Sequence, residues 1–113
     1  MGTVLPTLTP QTEPREETRT RRIPPYNVIL QNDDDHSMEF VIAVLLKVLG
    51  CKNERAYQVM MEAHTTGQAV IWTGTREGAE LKQEQMLTFH EKHWKDGRDL
   101  GPLGCFIEPA PGA

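Results

Sequence analysis

The chain is 113 residues long, with 38% hydrophobic and 25% charged residues and a formal charge of −4, values of a single ordinary globular domain. No stretch approaches the roughly 20 apolar residues that cross a bilayer and the N-terminus lacks an apolar signal core, so a cytoplasmic protein without membrane association is expected. Net negative charge without a basic stripe argues against nucleic acid, whose binding comes mostly from phosphate neutralisation, and two lone cysteines, Cys51 and Cys105, make no disulfide framework.

Residues 1–22 hold six threonines, three prolines and few large apolar side chains. Such a composition buries too little surface to offset chain ordering and predicts a disordered N-terminal arm. Four arginines against three glutamates make that arm slightly basic, leaving the rest of the chain distinctly acidic. The domain is expected over residues 23–108, with 109–113, rich in Pro and Gly, as a flexible tail.

Tyr26 to Gln31, β-branched and aliphatic, follows Pro24-Pro25 and precedes an Asn/Asp cluster, the pattern of a strand. Ser37 is placed to cap a helix in which Met38, Val41, Ile42, Leu45, Val48 and Leu49 recur at helical spacing until Gly50. Asn53 is placed to cap a second helix whose Ala56, Val59, Met60, Ala63 and His64 share one face and whose end is marked by Gly67. Gln68 to Thr73 reads as the second strand. Thr75 opens a third helix, expected to run to about Lys95 on the spacing of Ala79, Met86, His90 and Trp94, with Asp96-Gly97 as its stop. Leu103 to Glu108 makes the last strand. The order β-α-α-β-α-β predicts an α+β fold, a small two-layer sandwich of a three-stranded antiparallel sheet under three helices.

Asn32-Asp33-Asp34-Asp35, at a strand-to-helix junction, has a plain reading as turn formers and cap acceptors. The same run of acceptors can also hold a cation or an ammonium group, although its spacing fails the calcium-loop pattern. His64, alone near an apolar face, reads first as a structural residue. His90-Glu91-Lys92-His93 misses the zinc-protease spacing by one position, and no nucleophile, base and oxyanion-donor constellation occurs. Met38, Met60, Met61 and Met86 read as core, or as the adaptable lining of an apolar pocket.

Asn32-Asp33-Asp34, then Met38-Glu39-Phe40-Val41 opening a helix, then Met60-Met61 with His64 and Gly67, together resemble the ClpS family. These small adaptors deliver proteins with destabilising N-terminal residues to Clp ATPase–protease machines. Further blocks recur in order: Glu54-Arg55-Ala56, Thr75-x-Glu77 with Ala79-Glu80 and Lys82, and Leu103 to Glu108, so the resemblance spans about residues 25–108.

The resemblance implies a non-enzymatic, monomeric adaptor without cofactor or metal. Asn32, Asp33 and His64 would hydrogen-bond the substrate's free α-amino group and first peptide unit. Met38, Val41, Met60, Ala63 and Leu103 would form a pocket for Leu, Phe, Tyr or Trp as first side chain. Glu77 and Lys82 match the surface that docks on the N-terminal domain of a Clp AAA+ ATPase of the ClpA or ClpC type, and the arm would act in substrate handover. Three departures stand out. Asp35-His36-Ser37 replaces the common aromatic-Thr-Pro, which makes the rim more acidic and removes a rigid Pro. Ala63 stands where Val is more usual, deepening the pocket, and the segment from Trp94 to Gly101 is longer than usual. The competing readings are a general interaction or assembly domain of ribosomal-stalk-like topology without such a pocket, and a small metal hydrolase built on His90 and His93.

Overall fold

The chain is described by a computed structural model over residues 23–111. The expected arm, residues 1–22, and residues 112 and 113 lie outside the described residues. Three strands, β1 (Tyr26–Gln31), β2 (Gln68–Gly74) and β5 (Cys105–Pro109), form an antiparallel sheet in the order β2-β1-β5. The helices are α1 (Met38–Leu49), α2 (Asn53–Thr66) and α3 (Arg76–Leu87), and a separate hairpin pairs β3 (Glu91–Lys92) with β4 (Asp99–Gly101).

The central position of β1 follows from its residues. Val28, Ile29 and Leu30 are all buried, so β1 contributes apolar side chains to both faces of the sheet. Val28 and Leu30 join the main core with Val44, Leu45, Val59 and Met86 from the helices, whereas Ile29 points the other way. There it sits between its cross-strand partners Val70 and Phe106. The buried Asn27 side chain is satisfied by Thr73, whose Oγ1 donates to Asn27 Oδ1 at 2.6 Å.

Helix α1 begins and ends as its residues demand. Ser37 Oγ accepts the Phe40 N–H at 3.1 Å, and Gly50, at φ 65°, lets the chain leave in the left-handed conformation while its N–H donates to the Leu46 carbonyl. Helix α2 differs at its start. The cap position falls on Lys52, with Asn53 already the first helical residue, and the Lys52 side chain makes no capping hydrogen bond.

The largest difference from expectation concerns α3, which stops at Leu87 instead of running to about Lys95. Thr88 ends it: its N–H and its Oγ1 both donate to the Gln85 carbonyl, the latter at 2.7 Å, so the side chain takes up an acceptor at the open end of the helix. Beyond it His90 is exposed and Trp94 is 83% exposed, so neither joins the core. Asp96-Gly97 is therefore the turn of the β3–β4 hairpin, where Asp96 Oδ1 accepts the Arg98 N–H at 3.0 Å and Gly97 adopts φ 71°. The last strand is also shifted, starting at Cys105 and including Pro109. Ala110 N–H still donates to the Pro25 carbonyl at 2.9 Å, so regular pairing passes the expected boundary at 108.

Trp72, near the end of β2, lies across Gly78 in the first turn of α3. A Cβ added at Gly78 would stand 2.5 Å from the indole. Helix propensity alone would make Gly78→Ala stabilising by about 1 kcal/mol, but overpacking costs about 1–3 kcal/mol, so we expect a net loss of stability in chemical denaturation. A gain would show that the indole swings aside freely.

Candidate functional site

The site forms where β1 ends. Gln31 N–H donates to the Gly104 carbonyl at 2.9 Å, and Asn32 N–H donates to the Gly67 carbonyl at 3.0 Å. The segment leading to α1 is thus anchored to the approach of β5 on one side and to the α2–β2 junction on the other. These anchors bring the end of α2, which carries His64, and the approach to β5, which carries Leu103, beside the acidic turn.

A concave cavity of about 210 Å³ opens there. Its apolar wall consists of Leu30, Met38, Val41, Met60, Ala63 and Leu103, and its polar side of Gln31, Asn32, Asp33, Asp34, His36 and His64. Met60, Ala63 and Leu103 are almost fully buried and make a fixed floor, whereas Met38 is 48% exposed at the rim. Among the described residues no lysine or arginine lines the cavity. Every residue expected in the amine-binding and apolar sets meets in this one space. Spacing alone could not show this, because Leu103 is brought in by long-range pairing.

Asp33 is more heavily committed than expected. Its Oδ1 accepts the N–H groups of Asp35 and His36 at 2.9 and 3.0 Å, and the His36 Nδ1 lies 3.0 Å from both carboxylate oxygens. Burial opposes ionisation of Asp33, but the His36 ring and the two backbone N–H groups outweigh it and hold the carboxyl below its usual range. Oδ2 has only the His36 ring as partner among the described residues, and it remains free to accept a second donor. Asp34 also lines the cavity, exposed and with no hydrogen-bond partner among the described residues. Gln31 is the lining residue that the sequence does not single out, while Asp34 is expected only as part of the acceptor run and His36 only as a departure at the rim. For His36, the one available signal was its place where the family commonly has Thr.

The hairpin, also unforeseen, closes the rim. Glu91 accepts the Ser37 N–H at 2.9 Å and the Ser37 hydroxyl at 2.7 Å, which sets a carboxylate at the positive end of α1. His36 reaches the same hairpin through Nε2, 2.9 Å from the Gly101 carbonyl.

Residues outside the cavity are placed differently. Glu77 and Lys82 both lie on α3, which contributes nothing to the cavity lining, but five residues apart they point roughly 140° away from each other around the helix. Glu77 is exposed, whereas Lys82 is half-buried and donates to the Val48 carbonyl at 3.1 Å, closing the C-terminal end of α1. His90 and His93 do not converge: His90 pairs with Asp99 at 3.1 Å, and His93 stacks beside Trp94. Among the described residues no three His, Cys, Asp or Glu side chains are grouped to hold a metal. Burial pushes the Cys105 thiol up to about 11, making it a poor nucleophile.

The model of the ATP-dependent Clp protease adaptor protein ClpS matches residues 21–105. The ClpS adapter protein of Aromatoleum aromaticum is 40% identical over 93 residues, covering 82% of this chain and 85% of that one. That of Ruegeria sp. is 37% identical over 90 residues, covering 80% and 74%. Among solved structures, Agrobacterium tumefaciens ClpS2 bound to L-phenylalaninamide superposes with a TM-score of 0.64 at 34% identity, covering 79% of this chain and all of that one. With the sheet, the helices and the cavity in place, the matching of most of the chain by the family and by these relatives shows that it belongs to the ClpS family of Clp protease adaptors.

Proposed function

We propose that the cavity receives the N-terminus of a substrate protein whose first residue is Leu, Phe, Tyr or Trp, and that the chain delivers its owner to a Clp AAA+ ATPase for degradation. The observation that carries this reading is the composition of the cavity. An apolar floor adjoins a rim of carboxylate, amide and imidazole groups that, among the described residues, includes no lysine or arginine, which complements an ammonium group attached to a large apolar side chain. Asn32, His64 and the free face of Asp33, with Asp34 beside them, would take the amine. Met38, Val41, Met60, Ala63 and Leu103 would enclose the side chain. L-phenylalaninamide, the compound bound by the solved relative, has these two parts, a free α-amine and a benzyl group. A general assembly domain would have no use for such a cavity.

Docking on the ATPase is proposed for the α3 surface with Glu77 and Lys82, which leaves the cavity open. Of the two, Glu77 is the freer to pair with a partner, because Lys82 already holds α1. Catalysis forms no part of this reading, nor does an oligomer.

Acetylating the α-amine of a Phe-starting or Leu-starting peptide removes its charge and two donors. At roughly 1.5–3 kcal/mol per charge-assisted bond, the loss of two weakens binding at least about a hundredfold, measurable by calorimetry or fluorescence anisotropy. Equal affinity for the acetylated peptide would refute amine recognition.

The two pocket methionines should separate. Met38→Ala, at the rim, is expected to leave stability nearly unchanged while peptides beginning with Ile or Val gain relative to Leu, because crowding at the entrance is relieved. Met60→Ala, in the floor and 5% exposed, is expected to cost roughly 2–5 kcal/mol in denaturant unfolding. A comparable loss for Met38→Ala would mark that residue as core.

A further inference from the structure

We propose that His36 is a positioning residue for amine recognition, a doubly protonated imidazolium that ties the Asp33 carboxylate to the β3–β4 hairpin and thereby sets the shape and charge of the rim. The proposal rests on the amine-binding reading of the cavity and extends it to a residue that does not itself bind the amine.

The geometry leaves the ring little choice. Nε2 lies 2.9 Å from the Gly101 carbonyl oxygen and Nδ1 lies 3.0 Å from both Asp33 carboxylate oxygens. A carbonyl oxygen only accepts, and so does an ionised carboxylate. Each ring nitrogen must therefore donate, and a neutral imidazole has just one N–H. Moving the proton to Asp33 is disfavoured, since Oδ1 also accepts two backbone N–H groups that favour its ionised form. The ring is well enclosed, with its side chain 5% exposed and stacked on Phe40 at 5.5 Å between centroids. It lies between the cavity and a second hollow lined by the hairpin.

The charged groups around the ring are mostly acidic. Asp33, Asp34, Asp35 and Glu39 come from its own segment and helix, Glu91 with Lys92 and His93 from the hairpin, and His64 from across the cavity. Burial opposes the charged ring, but the Gly101 carbonyl, Asp33 and Glu91 outweigh it and hold the His36 pKa above 6.5. A histidine raised on folding contributes stability that is complete below its unfolded value and lost as pH rises through the folded one. Asp33 behaves in the opposite sense, its contribution complete above 3.8 and lost as pH falls through its lower folded value. The clasp is therefore closed between these limits and opens on the alkaline side. Once either ring proton leaves, one of the two bonds becomes a contact between two acceptors, and Asp33 parts from the hairpin.

The test uses the whole chain. Long-range nitrogen–proton NMR of the ligand-free protein near pH 6.5 should show both His36 nitrogens protonated, with the Gly101 and Asp35 amides shifting together as the ring titrates. Peptide binding is then followed from about pH 5.5 to 8.5 for the parent, His36→Ala and His36→Gln, the last keeping one donor without the charge. Both variants should bind a Phe-starting peptide about tenfold more weakly near neutral pH, the scale of one lost charge-assisted tether. Their alkaline decline should shrink to that of the peptide's own amine. A neutral His36 tautomer near pH 6.5, or variants whose affinity and pH profile match the parent, would overturn the proposal. If the parent binds no peptide with a free amine, the functional reading fails and His36 loses its recognition role with it, while the NMR arm still decides whether the charged clasp exists.

Discussion

Two backbone hydrogen bonds at the end of β1 support everything else in the site. Gln31 N–H on the Gly104 carbonyl and Asn32 N–H on the Gly67 carbonyl fix the exit of the central strand to its neighbours on both sides. A strand buried between two others cannot shift register without turning Val28 and Leu30 out of the core, so these anchors are as firm as the core itself. The acidic turn, the end of α2 and the approach to β5 consequently meet at distances set by the sheet. A loop held in this way keeps its acceptors ordered, and under the proposed function that order would lower the entropic cost of recognition.

The β3–β4 hairpin adds a second set of supports from an element that contributes little to the core. Its Glu91 carboxylate takes both donors of Ser37, while the Gly101 carbonyl faces the His36 ring. Both contacts land on the short segment between the acidic turn and the first turn of α1. Ser37, which lacks the fixed φ of a proline, is held at this helix start by hydrogen bonds across to the hairpin. The hairpin and the rim residues His36 and Ser37 thus belong to one structural arrangement.

The legibility of these features in the sequence follows their physical origin. Periodic burial is written locally, so β1, α1, α2 and β2 emerge within a residue or two of expectation, whereas the gathering of Met38, Val41, Met60 and Ala63 in one cavity is implied by the family resemblance and not by periodicity. The end of α3 is not written in periodicity. His90 and Trp94 fall at helical spacing from Met86, yet they remain outside the core, and the stop comes from a side-chain hydrogen bond of Thr88. The hairpin depends on contacts between residues more than fifty positions apart, Ser37 with Glu91 and His36 with Gly101, which no local window contains. Lys82 is expected only as part of a docking surface, and its bond to the Val48 carbonyl, 34 positions away in the chain, is likewise beyond any local window.

The acidic turn shows why the plain and the functional readings of a motif need not compete. Asp33, Asp34 and Asp35 are consecutive, with Glu39 and Glu91 close by, and such a concentration of negative charge repels itself unless something offsets it. Three features do. The N-terminal end of α1 presents its partial positive charge to Glu91, two backbone N–H groups point at Asp33, and the His36 ring lies against the same carboxylate. Asp33 is a turn former because it is held by these donors. Holding it in turn allows Asp34 to stand beside it in the cavity, exposed and without a partner among the described residues. The residue that shapes the loop and the one left without a partner among the described residues thus stand side by side in the same turn.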